Sequence, residues 1–184
     1  MKDMDSLLAQ VLAFRPNRLV PPFDLQGHIP FVAWLVKELQ PATFVQLGTQ
    51  SGNLYFAACQ TVAENSLPTR CWAVGTWQAE ELAQRHSVQQ EAGASDYNRQ
   101  HFGAFSGLLR MGDAQALPRF APGSIDLLLI DGRYSPETVR NEYESWRDRL
   151  SDHAVVLLVG IEQADSGAAA LWQQLQPQYP HLAF

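Results

Sequence analysis

The feature that most constrains this chain is a short, almost wholly apolar run that ends on glycine. Thr43-Phe44-Val45-Gln46-Leu47 breaks at Gly48, and Gly52 opens a stretch with Leu54, Tyr55, Ala58 and Val62 at helical spacing. A strand that is apolar throughout is buried on both faces, and a parallel sheet covered by helices on both sides buries strands in that way. Glycine suits such a turn because it accepts positive φ and lets a ligand approach the backbone. The free N–H groups at the start of the following helix can then hold a polar or anionic group. The same unit also serves as a plain strand-to-helix turn, so its weight depends on what surrounds it.

The rhythm repeats along the chain. Cys71–Val74 closes on Gly75-Thr76-Trp77, and Leu108–Met111 runs into Gly112-Asp113-Ala114. Ile125–Ile130, the clearest buried strand, ends in Asp131-Gly132, and Ala154–Val159 ends in Gly160. Between them lie helical patterns. Phe31, Trp34, Leu35 and Leu39 share a face, with Pro30 at a first helical position and Pro41 as the stop. Ser135 caps a helix with Pro136 at its first position and Val139, Tyr143, Trp146 and Leu150 on its apolar side. A weaker helix falls near Ala168–Leu175. Residues 78–102 are polar, read as helix with a break at Ala92-Gly93-Ala94-Ser95, and His181–Phe184 reads as the start of a sixth strand. Before all of this, residues 1–27 hold a short helix (Leu7, Leu8, Val11, Leu12) and a proline-bearing connector, leaving 28–184 as the α/β domain. Buried strands alternating with helices give a doubly wound, mostly parallel α/β sheet.

Composition narrows the function. At 184 residues with 46% apolar and 17% charged residues, the chain makes one globular domain. A formal net charge of −6 argues against a nucleic-acid partner, which needs a basic face. The mixed charges of Arg140, Glu142, Glu144, Arg147, Asp148 and Arg149 read as a solvated helix face. Cys59 and Cys71 lack metal-ligand spacing and read as buried free thiols, in keeping with a reducing cytoplasm. No signal peptide is visible, and no apolar run reaches the length of a transmembrane segment. His28, His86, His101, His153 and His181 show no ligand spacing either.

In doubly wound sheets, ligands bind outside the carboxyl ends of the strands. Those ends here are Gly48–Gly52, Gly75–Trp77, Gly112–Asp113, Asp131–Tyr134 and Val159–Gly160. Together they point to a nucleotide-like ligand. Asp113 also fits as a plain helix cap, Asp131-Gly132 as a turn, and Tyr134 as a surface or packing tyrosine. Trp34, Trp146 and Trp172 read as core, whereas Trp77 stands at the rim of the expected pocket.

Gly27-His28-Ile29-Pro30-Phe31-Val32-Ala33-Trp34-Leu35 followed by Phe44–Asn53 closely resembles the start of a group of class I S-adenosylmethionine (SAM) methyltransferases. These occur in bacteria beside, or fused to, glycosyltransferases of surface-polysaccharide assembly. The resemblance continues through Ala73–Gln78, Gly123–Leu128, Ile130-Asp131-Gly132 and Ala154–Leu157, and covers roughly residues 25–184 in matching order. It implies a Rossmann-like fold with SAM as cofactor. Gln46, Gly48, Thr49, Ser51 and Gly52 would form its methionine side, Gly75, Thr76 and Trp77 its ribose side, and Gly112, Asp113 and Ala114 its adenine side. Asp131 and Tyr134 would stand at the reaction centre.

The chain departs from that pattern at several of these positions. The family has a glutamate where Gln46 stands and, at Gly75, an aspartate that takes the ribose hydroxyls. Its histidine after the Asp-Gly of strand four aligns with Tyr134, and its His-Asp pair after strand five aligns with Val159-Gly160. Glu80 or Glu81 is the candidate substitute for the ribose acid. The C-terminal strand hairpin of the fold is not expected here, so either the sequence is a piece of a longer protein or a partner covers the sheet edge, a glycosyltransferase domain or protein or a second copy. Two functions follow: a catalytically degenerate module for structure or interaction, or an active O-methyltransferase on a sugar or glycan. A different nucleotide in the same crevice is a third reading.

Overall fold

The computed structural model describes residues 9, 11–23, 25–49, 51–75, 84–131 and 134–183. The expectations for Leu7, Leu8, Thr76, Trp77, Glu80, Glu81, Gly132 and Phe184 lie outside them. Five parallel strands form one sheet: β1 (Thr43–Leu47), β2 (Arg70–Gly75), β3 (Ser106–Arg110), β4 (Ile125–Asp131) and β5 (Leu150–Val159). Their spatial order is β3-β2-β1-β4-β5, the doubly wound arrangement expected from the sequence.

The pleat explains why the strands carry so little polarity, because successive side chains point to opposite faces. Leu127 and Leu129 of β4 join Phe44, Tyr55, Phe56 and Phe102 in one cluster. Ile125, Leu128 and Ile130 join Val45, Leu47, Val139 and Trp146 in the other. The first face is covered by α1 (Ile29–Leu39), α2 (Asn53–Glu64) and α3 (Gln84–His101). The second is covered by α4 (Asp113–Ala116), α5 (Pro136–Trp146) and α6 (Gly167–Leu175). Helix entries follow the sequence cues: Pro30 sits in the first turn of α1, and the Ser135 hydroxyl caps α5 by accepting the Thr138 N–H at 3.2 Å. Cys59 and Cys71 are buried free thiols.

The opposite end of the sheet is tied by a buried aspartate. Asp126 Oδ2 accepts the N–H groups of Ala42 and Thr43 at 2.8 and 3.1 Å, and Oδ1 accepts the Ser151 hydroxyl at 2.8 Å. Burial alone would raise this carboxyl, but those bonds and nearby His153 outweigh it and hold its pKa below the ordinary value.

Three expectations need correction. The helix α3 runs unbroken through Ala92–Ser95, because Ala94 is buried within it, Phe102 is buried just past its end, and Asn98 Nδ2 donates to the Ser106 carbonyl at 3.1 Å. The cost of one glycine, about 1 kcal/mol, is outweighed by that packing. His181, Leu182 and Ala183 form no strand. Leu182 is 86% exposed, so its apolar character has no partner ladder to join. Glu142 is not on a solvated face but half-buried against Asp113.

Candidate functional site

The carboxyl ends of β1 and β4 lie side by side at the centre of the sheet, where strand order reverses. After β1, Gly48 has φ +70° and Gly52 φ +76°, and the Gly52 N–H donates to the Thr49 carbonyl at 2.8 Å. Both glycines are required by contact as well as by backbone. A methyl group at 48 would stand 3.1 Å from Asp131 Cβ and 3.5 Å from the Tyr134 ring. At 52 it would stand 2.8 Å from the Phe56 ring.

A small pocket opens on this turn, lined by Gln46, Gly48, Thr49, Ser51 and Asp131 from the expected set, with Asn53 and Leu54 from α2. Pro22 and Leu25 close it from the N-terminal side. Gln46 is 2% exposed and its Oε1 has no hydrogen-bond partner among the described residues, an orphaned acceptor at the pocket wall. Asp131 is equally buried. Tyr134 is 45% exposed, with its ring over Gly48.

The remaining expected residues flank the pocket. Gly75 ends β2, and among the described residues a Cβ there would meet only the Thr49 backbone nitrogen, at 3.9 Å. Gly112 is the N-cap of α4, which puts Asp113 at the first helical position rather than at the cap. Ala114 is exposed. Val159 is buried at the end of β5 and Gly160 follows with φ +96°.

Asp113 has a partner that the sequence pattern hid. Glu142 of α5 hydrogen-bonds to it. Burial, then the charge of Asp113 and its hydrogen bond, then the charge of Asp131, push the Glu142 carboxyl up to about 8. Burial raises Asp113 as well, while the hydrogen bond from Glu142 works the other way. At neutral pH one proton therefore resides on Glu142 and is donated to Asp113.

The N-terminal segment was also not read as part of the site. Arg18 Nη1 donates to the Ser51 carbonyl at 2.7 Å, and its guanidinium lies over the rings of Phe56 and Tyr97 at 4.8 and 5.7 Å. Asn53 receives the Val20 N–H at 3.1 Å and donates to the Val20 carbonyl at 2.7 Å. The only sequence signal was an asparagine placed directly after Gly52, a type that favours local backbone bonds. Among the described residues, no group of three or more His, Cys, Asp or Glu side chains is placed to hold a metal ion. No helix among them is long and apolar enough to cross a membrane.

A family profile described as "Methyltransferase domain" matches residues 45–158, more than half of the chain. The uncharacterised protein y4gI of Sinorhizobium fredii is 36% identical over 182 residues, 98% of this chain and 20% of that protein. The chain thus spans about a fifth of the length of the curated relative it matches. Among solved structures, the SAH-bound methyltransferase PaMTH1 of Podospora anserina superposes with a TM-score of 0.56 at 15% identity, over 87% of this chain and 64% of that one. The O-methyltransferase TomG of Streptomyces achromogenes, solved with SAM, gives 0.53 at 15% identity, over 97% and 80%. At these identities the likeness concerns the fold alone.

Proposed function

Because this chain belongs to the methyltransferase-domain family, we propose that it binds SAM at the carboxyl ends of β1 and β4 and methylates a hydroxyl of a sugar or related polar acceptor. The observation that carries this reading is the convergence, in one pocket, of the orphaned Gln46 oxygen, the Gly48–Gly52 turn and the buried Asp131.

The methionine end of SAM suits these residues. Its ammonium is a donor for the unpartnered Gln46 Oε1, which in a buried wall otherwise costs about 1–3 kcal/mol. The ribose end is the weaker half, since Gly75 offers no side-chain acceptor. The adenine amine suits Asp113, whose position is fixed by the proton that Glu142 donates.

When bound, SAM supplies an electrophilic methyl on a sulfonium. Asp131, buried in the pocket wall beside Gly48 and Thr49, would be the group that accepts the proton of the acceptor's hydroxyl when the methyl is transferred. The Gly48–Gly52 turn and the Tyr134 ring hold the reacting groups in line, and such positioning supplies much of the rate in a displacement of this kind.

A second reading rests on Gly75: a catalytically degenerate module for structure or interaction, linked to a polysaccharide glycosyltransferase or paired with a second copy along β5. Among the described residues, β5 pairs only with β4, which supports an edge partner. Both readings set the protein in the cytoplasm, supported by its free thiols.

The deciding experiment offers tritiated SAM and a panel of sugars and nucleotide sugars to the wild type and to Asp131→Asn. Transfer by the wild type, reduced about 100-fold or more in the variant with SAH binding kept, is the expected result. Equal transfer by both removes Asp131 from the chemistry. SAH binding with no transfer to any acceptor favours the degenerate module.

A further inference from the structure

The turn that lines the pocket has a second face, and residues 15–23 are fastened to it. The Ser51 carbonyl takes the Arg18 guanidinium, and the Asn53 amide brackets the backbone of Val20. Two helical turns further on, Gln60 accepts the Asn17 N–H at 2.8 Å and donates to the Arg15 carbonyl at 3.0 Å. Ser51 and Asn53 therefore touch both the pocket and this strap, and Pro22 of the strap is itself part of the pocket wall.

With the strap in this position, the cavity between it and Asp131 measures about 20 Å³, enough for about one water. Pro22 belongs to the wall of this cavity, so movement of the strap away from the turn enlarges it. Arg18 has features of a latch that can release: a single carbonyl and two ring faces hold it, and no carboxylate among the described residues pairs with it.

We propose that residues 15–23 form a gate over the reaction centre, latched by Arg18 to the Ser51 carbonyl, and that the gate lifts before the methionine end of the cofactor and the acceptor enter. The inference rests on the SAM-binding reading above. Arg18 is a positioning residue in it. A ligand that binds only the open state has its affinity reduced by the fraction of molecules that are open. Loosening the latch raises that fraction, so deleting an ordered contact tightens binding, the opposite of what a wall-forming residue does.

The test is SAH binding by calorimetry and stopped flow to the wild type, Arg18→Ala and Gln60→Ala. Gln60 lies outside the pocket lining, so it loosens the strap without touching the cofactor site. Arg18→Ala should bind SAH about tenfold tighter with faster association, the scale of one charge-assisted hydrogen bond. Gln60→Ala should move the same way by less, and it decides the matter if Arg18→Ala fails to fold. In the wild type, saturating SAH should speed hydrogen exchange at the Val20 and Asn17 amides. SAH affinity that is equal or weaker in the variants overturns the gate while leaving the cofactor reading intact. Failure of SAH to bind any of the three folded proteins overturns the cofactor reading, and the gate with it.

Discussion

Replacing Glu142 with glutamine should flatten the pH dependence of stability. The half-buried Glu142 carboxyl is pushed from 4.5 to about 8, first by burial and then by the charge of and hydrogen bond to Asp113, with Asp131 adding to it. A group with a raised native pKa binds more protons folded than unfolded between those two values, so stability falls as pH rises through the window. At about 1.4 kcal/mol per unit the full shift corresponds to about 5 kcal/mol, and partial exposure of the pair cuts this to about 2 kcal/mol. Glutamine has no proton to lose, yet its amide still donates to Asp113. Urea denaturation at pH 5 and pH 8.5 is the assay. The wild type should lose about 2 kcal/mol more than Glu142→Gln between the two, and the variant should be the more stable protein at the higher pH. Parallel losses in both proteins would refute the assignment of the shared proton to Glu142.

Two further outcomes follow from single contacts. Gly75→Asp adds a carboxylate at the end of β2, where the nearest described atom to a new Cβ is 3.9 Å away. It should tighten SAH binding about tenfold by calorimetry, the scale of one charge-assisted hydrogen bond, and weaker binding would show that the ribose does not pass this position. Asp126→Ala leaves two backbone N–H groups of the Pro41–Thr43 entry without their acceptor. It should cost about 2–4 kcal/mol in urea melts at neutral pH and leave SAH affinity unchanged, since Asp126 ties the far end of the sheet. The wild type's advantage should fade as pH falls through the carboxylate range, because the native pKa of Asp126 is lowered.

The sheet was legible because its strands saturate both faces with apolar side chains. Leu127-Leu128-Leu129-Ile130 has no solvated side to hide, and each strand ends where glycine or aspartate turns the chain. Local composition was a poorer guide where long-range pairing decides. Leu150, expected on the apolar side of the helix, instead starts β5, because Ile125 pairs with Leu150 across a bulge and draws the strand start back from Ala154. Leu182 and Ala183 look like strand and have no ladder. Glu142 sits in a run of alternating charges, yet the register of α5 turns it toward Asp113. Of the expected site, Gln46, Gly48, Thr49, Ser51 and Asp131 converge because each lies at the end of a central strand or on the turn that follows. Arg18 was beyond reach, since its partner Ser51 is 33 residues away and nothing local marks either residue.

The central claim is that this pocket holds a SAM-type cofactor, and calorimetric titration of the wild-type protein with SAH tests it most directly. The account expects saturable heat with a dissociation constant in the micromolar range, about −8 kcal/mol. No heat and no thermal shift at millimolar SAH, from a protein that remains folded, would contradict it.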